Sequence, residues 1–241
     1  MSGAEPASTR EVVDALAAVR ARIVTVDRTW THDVEIVAVT KAFAPGVVET
    51  AVDAGCRAIG ENYAQELLTK RDAIDSLIAG RRPRIDFIGQ LQSNKVRLLA
   101  GLVDRWATVD RASLAKEIAR RAEGAQVLVQ VNSTSEPQKG GCAPDGVADL
   151  VERCRDLGLD VAGLLTVGPT SGSRAHTEDG FGQVRSLVDE LGLTVCSMGM
   201  TGDLEIAVAC GATSVRVGSA LFGARPPRAS SNVHPEPDPL G

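Results

Sequence analysis

Val34-Glu35-Ile36-Val37-Ala38-Val39-Thr40-Lys41 is a short apolar run that ends in an amine, followed at once by Ala42-Phe43-Ala44-Pro45. Its Val and Ile content predicts a buried strand, and Pro45 predicts that a helix opens next. Lys41 then stands at a strand mouth. An amine in such an apolar setting loses its proton more readily and forms a Schiff base with an aldehyde.

The same unit recurs along the chain. Apolar runs rich in Val and Ile appear at 34–40, 56–61, 84–89, 102–109, 126–132, 161–167, 194–199 and 214–218. Helical stretches lie between them, among them Tyr63 to Ala79, Leu91 to Ala100, Ser113 to Ala122, Val147 to Leu157 and Val184 to Leu191. Strands alternating with helices predict a parallel sheet, since each parallel crossover needs a helix. The eight runs, the 241 residues and the lack of a GxGxxG after the first run predict a single α/β domain, a (β/α)8 TIM barrel. An extra helix precedes it, from Thr9 to about Arg28, on the spacing of Val12, Leu16, Val19, Ile23 and Val26. The domain is expected over 9–225, between a disordered N-terminus (1–8) and a disordered Pro-rich tail (226–241). Val167 to Arg174, rich in Gly and Ser, predicts a mobile loop.

A formal net charge of -5 argues against nucleic acid as a partner. Arg81-Arg82-Pro83-Arg84 is read as solvated surface. Five cysteines without a CxxC pair predict no disulfide framework and no metal site. With no leader-like N-terminus and no membrane-length apolar run, the expected protein is soluble and cytoplasmic.

In a barrel the active site gathers at the C-terminal ends of the strands. Here those positions are Lys41, Glu61-Asn62, Gly89-Gln90, Asp110, Asn132, Thr166, Ser197 and Gly218-Ser219. The last two runs each end in hydroxyls and glycines before an apolar helical stretch: Ser197-Met198-Gly199-Met200-Thr201-Gly202-Asp203, then Gly218-Ser219-Ala220-Leu221-Phe222-Gly223. Backbone N–H groups free of large side chains suit a phosphate, and loops after strands 7 and 8 are its usual place in this fold. A Schiff-base lysine with a phosphate cradle suits pyridoxal 5'-phosphate (PLP) and equally an aldolase acting on a sugar phosphate. Arg216 shares a strand face with Gly218. It fits either a partner for a pyridine nitrogen or a structural salt bridge.

The chain resembles the YggS/PROSC family, the pyridoxal phosphate homeostasis proteins. The resemblance rests on Val37-Ala38-Val39-Thr40-Lys41, Ile59-Gly60-Glu61-Asn62-Tyr63-Ala64-Gln65-Glu66, Phe87 to Lys95 and Lys139-Gly140-Gly141. It continues through Gly163-Leu164-Leu165-Thr166, Ser197 to Thr201 and Arg216 to Gly223. It implies a barrel like the N-terminal domain of alanine racemase, with PLP held covalently by Lys41. Asn62 would lie near the ring and Arg216 would face its nitrogen. Ser197, Gly199, Thr201, Gly218 and Ser219 would make or surround the phosphate site, with Leu165 and Met200 completing the cofactor-binding set. The resemblance further implies a monomer that buffers and delivers PLP, with apo PLP-dependent enzymes as acceptors and no robust catalysis. The alternative is a PLP-dependent amino-acid racemase or Schiff-base lyase. Two departures stand out. Ile85-Asp86 replaces a frequent Trp-His, which puts in doubt any role for a histidine on that strand, and Thr201 stands where serine is common.

Racemisation needs a base on each face of the substrate carbon. Tyr63 is expected to pack against the barrel wall, and His32, His176 and His234 fall in a linker, a loop and the tail. Lys139 is a candidate for steering an anionic cofactor, set against a plain surface lysine.

Overall fold

A computed structural model describes residues 7–78 and 80–224. Eight parallel strands close into one barrel in sequence order. They are β1 (Glu35–Val39), β2 (Ala58–Glu61), β3 (Arg84–Phe87), β4 (Arg105–Val109), β5 (Gln126–Val131), β6 (Asp160–Thr166), β7 (Val195–Ser197) and β8 (Ser214–Val217). Closure is made by β8 on β1, with Glu35 opposite Ser214 and Val37 opposite Arg216.

The first helix, α1 (Thr9–Val24), buries Val12, Leu16, Val19 and Ile23, the expected stripe. It is shorter than the spacing suggested, because it stops at Thr25 and leaves Val26 in the linker. Ser8 is its N-cap, closing a capping box with Glu11, so the ordered chain starts before Thr9. Residues 1–6 and the stretch from Arg225 onward, including the expected tail and His234, lie outside the described residues.

Between the strands run α2 (Val47–Asp53), α3 (Ala64–Thr69), α4 (Arg71–Asp75), α5 (Val96–Leu99), α6 (Ala112–Arg121), α7 (Val147–Asp156), α8 (Arg174–Glu190) and α9 (Leu204–Ala209), and α10 (Ser219–Phe222) follows β8. Three expectations change. The helix read from Tyr63 is split, with Lys70 at the joint between α3 and α4. The run at 102–109 yields a strand only from Arg105, since Leu102 and Val103 pack in the outer core before the strand begins. The helix expected from Val184 begins ten residues earlier, at Arg174. Gly180 and Gly182 weaken the helical pattern there, but Ser173 caps the helix and Phe181 is fully buried. Among the described residues no helix is long and apolar enough to cross a membrane.

Strand alternation sends one set of side chains to the helices and the other into the barrel. Ala38, Ile59, Ile85, Val127, Leu164, Cys196 and Val215 join the core under the helices. Inside, Ala107, Leu128 and Leu165 form the middle layer, with Ile88, Ala162, Val167 and Val195 against them. Gly60 belongs to this interior: a Cβ there would stand 2.9 Å from Ile88 Cδ1 and 3.1 Å from Val37 Cγ1.

The base of the barrel is ionic. Arg84 donates to Glu35 and Asp86 at 2.7 Å, and Arg105 donates to Asp86 at 3.0 Å and Glu35 at 3.2 Å. Arg84 is therefore no solvated residue, unlike Arg81 and Arg82, which pair at the surface with Asp53 and Asp104. The Asp86 departure from the family pattern is thus a structural one. Burial pushes the Asp86 carboxyl up to about 7, against the pull of Arg84. Between its ordinary value and about 7, the folded chain holds a proton that the unfolded chain has released. Stability contributed here is present at low pH and lost as pH rises through that window. We expect the melting temperature to fall between about pH 5 and about pH 8, and Asp86→Asn to reduce that fall. Glu61, also raised by burial, supplies a residual slope of the same sign. Thermal melts at both pH values check this, and an undiminished slope in the variant contradicts it.

Candidate functional site

A cavity of about 310 Å3 opens at the C-terminal ends of the strands. Seven of the ten expected cofactor residues line it: Lys41, Asn62, Met200, Thr201, Arg216, Gly218 and Ser219. Val39, Ile88, Val167 and Gly202 complete the wall and had not been singled out. Their signal was available, since each lies in, or within five residues of the end of, a strand.

The remaining three lie outside this lining. Leu165 is 1% exposed in the middle layer, beneath Ile88 and Val167. Gly199 has φ +93, and a Cβ there would meet Ala207 Cβ of α9 at 2.4 Å. It lets the chain turn tightly over α9. Ser197 is buried, and its hydroxyl accepts from Arg216.

Arg216 is held from both sides. Its Nη1 donates to the Ser197 carbonyl and hydroxyl, each at 2.9 Å, and its Nη2 donates to the Thr166 carbonyl at 2.7 Å. These partners are neutral, so the salt-bridge reading does not hold: no carboxylate pairs with Arg216 among the described residues. Burial lowers its pKa to about 10, with Asp203 opposing, which leaves a cation at neutral pH. Nearby, the amides of Thr201, Gly202, Ser219 and Ala220 have no acceptor among the described residues. A Cβ on Gly218 would lie 3.1 Å from the Val39 carbonyl oxygen. Free amides, a small-residue floor and a buried cation fit an anionic, planar guest.

Lys41 stands two residues beyond β1, on a loop fixed from outside the barrel. The Thr40 hydroxyl donates to Glu61 at 2.5 Å, and Lys70 Nζ donates to the Thr40 carbonyl at 2.7 Å. Lys70 also pairs closely with Glu61, and both are almost wholly buried. The next amide, Ala42 N–H, donates to Glu66 at 2.7 Å while Ala42 holds φ +70, a strained conformation for a side-chain-bearing residue. The chain on each side of Lys41 is therefore anchored. Glu61 thus faces the helices rather than the barrel mouth. Burial raises its pKa, opposed by Lys70 and Thr40, and its Oε2 has no hydrogen-bond partner among the described residues. Sequence reading passed over Lys70. The clue was its place on the buried stripe Leu67, Lys70, Ile74, where an apolar residue would be ordinary.

Other expectations shift. Tyr63 is 41% exposed and lines a neighbouring cavity instead of packing on the wall. His176 lies in the first turn of α8, and His32 contacts the Ala212 carbonyl at 3.1 Å, on the linker. Lys139 is neither loose nor aimed at a guest. It donates to Glu136 at 2.8 Å and to the Gly168 carbonyl at 2.5 Å, while Thr170 N–H donates to Glu136 at 2.9 Å. Lys139 and Thr170 draw the Glu136 carboxyl down to about 2. The loops after β5 and β6 are joined by this contact. Cys142 is partly buried, which pushes its thiol up to about 11 and makes it a poor nucleophile.

The alanine racemase N-terminal domain family matches residues 15–226. The pyridoxal phosphate homeostasis protein of Pseudomonas aeruginosa is 38% identical over 199 residues, 80% of this chain and 85% of that protein. The chain belongs to the pyridoxal phosphate homeostasis protein family. The Schizosaccharomyces pombe member is 35% identical over 216 residues, 84% of this chain and 89% of its own. PipY of Synechococcus elongatus, solved without PLP, superposes with a TM-score of 0.78 at 30% identity, covering 88% of this chain and 100% of its own. The same protein solved with PLP bound gives 0.75 at 29% identity, with the same coverage. An alanine racemase from Clostridium difficile, 16% identical with a TM-score of 0.68, shares the fold.

Proposed function

We propose that this family member binds PLP as a Schiff base on Lys41 and takes part in intracellular PLP homeostasis and delivery, without robust catalysis. The observation that carries the reading is one cavity holding an anchored lysine opposite free amides and a buried arginine. Bound PLP supplies an electrophilic carbon and an electron-accepting ring. Lys41 would hold the carbon, Asn62 would flank the ring, and Thr201, Gly202, Ser219 and Ala220 would receive the phosphate through backbone N–H groups. Ser197 would orient Arg216 through its carbonyl and hydroxyl at the edge of that site.

Arg216 bears on catalysis. A guanidinium facing a pyridine nitrogen disfavours its protonation, and an unprotonated ring is a weaker electron sink. Apart from Lys41, no His, Tyr, Cys or carboxylate lines the cavity among the described residues, so a second base for racemisation has no candidate there. The relatives' naming as homeostasis proteins supports the same reading. A cytoplasmic monomer handing PLP to apo PLP-dependent enzymes completes the proposal.

Borohydride reduction of purified protein incubated with PLP, followed by peptide mass mapping, is the direct test. The expected product carries the reduced cofactor on the Lys41 peptide. Trapping only in the presence of a sugar-phosphate substrate would favour the aldolase. Rapid formation of D-alanine from L-alanine, lost in Lys41→Ala, would favour the racemase.

A further inference from the structure

Arg22, in the last turn of α1, reaches the loop after β7 from outside the barrel. Its Nη2 donates to the Thr201 carbonyl at 3.0 Å. The same nitrogen and Nε grip the Glu205 carboxylate of α9, at 2.9 Å and 2.7 Å. Two parallel donations to one carboxylate fix the plane of a guanidinium. Arg22 does not line the Lys41 cavity, whereas Thr201 and Gly202 do.

A trans peptide unit is planar, so its C=O and N–H point in opposite directions. The Thr201 carbonyl and the Gly202 N–H belong to one such unit, and no cis bond occurs among the described residues. With the carbonyl drawn toward α1, the N–H turns away from α1, to the side of the cavity that these two residues line. That N–H has no acceptor among the described residues. Gly202 carries no side chain to restrict rotation of the unit, so its orientation needs a hold from elsewhere. Asp203 secures the loop two residues before Gly202, where its Oδ1 accepts from the Met200 N–H at 2.6 Å. Arg22 secures the unit that follows Thr201. The reversed unit would aim a carbonyl oxygen at an anion.

We infer that Arg22, gripped by Glu205, is a positioning residue for the anionic end of the guest: it sets the Thr201–Gly202 peptide so that the Gly202 N–H donates to a phosphate. Arg22 acts only through that peptide. Assigning the phosphate to PLP rests on the proposed function; the aim of the amide at an anion does not. The consequence is selectivity, because the hold strengthens binding of a phosphorylated B6 aldehyde and leaves its unphosphorylated counterpart unaffected.

Absorption titrations of the full-length protein with PLP and with pyridoxal, which has the aldehyde but no phosphate, test the inference. Arg22→Met is expected to raise the Kd for PLP about tenfold, as loss of one charge-assisted hydrogen bond implies, and to leave that for pyridoxal unchanged. Glu205→Gln, which loosens the grip on the guanidinium, should give a smaller loss confined to PLP. Both side chains stand at the surface, 36% and 46% exposed, so their pairing adds little to stability and both variants should melt with the parent. PLP and pyridoxal weakened alike, or PLP bound by Arg22→Met as by the parent, would each overturn the inference. Inorganic phosphate, followed by phosphorus NMR, separates the two readings. Phosphate held about tenfold more weakly by Arg22→Met, in a protein whose Lys41 borohydride leaves unmodified, removes the cofactor reading alone. PLP fixed on Lys41, with phosphate held equally by parent and variant, removes this one alone.

Discussion

Lys70→Met is expected to destabilise the protein by about 3–5 kcal/mol, the usual cost of stranding one member of a buried ion pair. Lys70 is 1% exposed and Glu61 fully buried, so neither regains water when its partner goes. Glu61 would keep only the Thr40 hydroxyl, and the Thr40 carbonyl would lose its ammonium donor. The double variant Glu61→Met with Lys70→Met removes both charges and should recover most of that loss. Schiff-base formation at Lys41 should stay impaired in it, because the Thr40 side of the Lys41 loop is no longer anchored. Denaturant melts read the first effect, and the rate at which PLP becomes borohydride-fixed reads the second. A double variant that is stable and captures PLP at the parent rate would show that the pair serves packing alone.

Lys41→Ala should abolish covalent retention of PLP outright, and Lys41→Arg should do the same while keeping a positive charge at the cavity. A guanidinium stays protonated at any working pH and cannot supply the nucleophilic nitrogen. Because Lys41 follows β1 instead of lying within it, neither change should alter the barrel's core. Absorption spectra and peptide mapping after borohydride report the loss, and thermal melts report the intact fold. PLP still fixed to the chain in Lys41→Arg would sink the assignment and move the search to another amine.

Much of this was legible beforehand. The Val- and Ile-rich runs alternating with helices, and the polar residues clustered after them, led to the barrel and to Lys41, Asn62, Thr201, Arg216, Gly218 and Ser219 around one cavity. What escaped depended on partners distant in sequence. Ser197 reads as a phosphate ligand because it is a hydroxyl near a strand end. Its hydroxyl also accepts from Arg216, nineteen residues on, which reaches it from the neighbouring strand. Gly199 reads as a cradle residue, yet it is needed because α9 passes too close for a side chain. Lys70 went unremarked in the sequence, because only the fold brings Glu61 opposite it. Arg84, in a basic cluster, looked solvated until Asp86 and Glu35 closed round it.

The amino-acid sequence alone decided that eight strands alternate with helices and that an amine follows the first strand. Both are local matters of side-chain period and chain order, and the barrel places the ends of all its strands on one rim. Tertiary structure decided which of the rim's polar groups face a guest and which hold one another. That outcome turns on barrel closure: β8 beside β1 brings Arg216 level with Val37, below the rim where Lys41 stands. It turns also on which buried charges find a partner, since an unpartnered charge in a low-dielectric interior is too costly to keep.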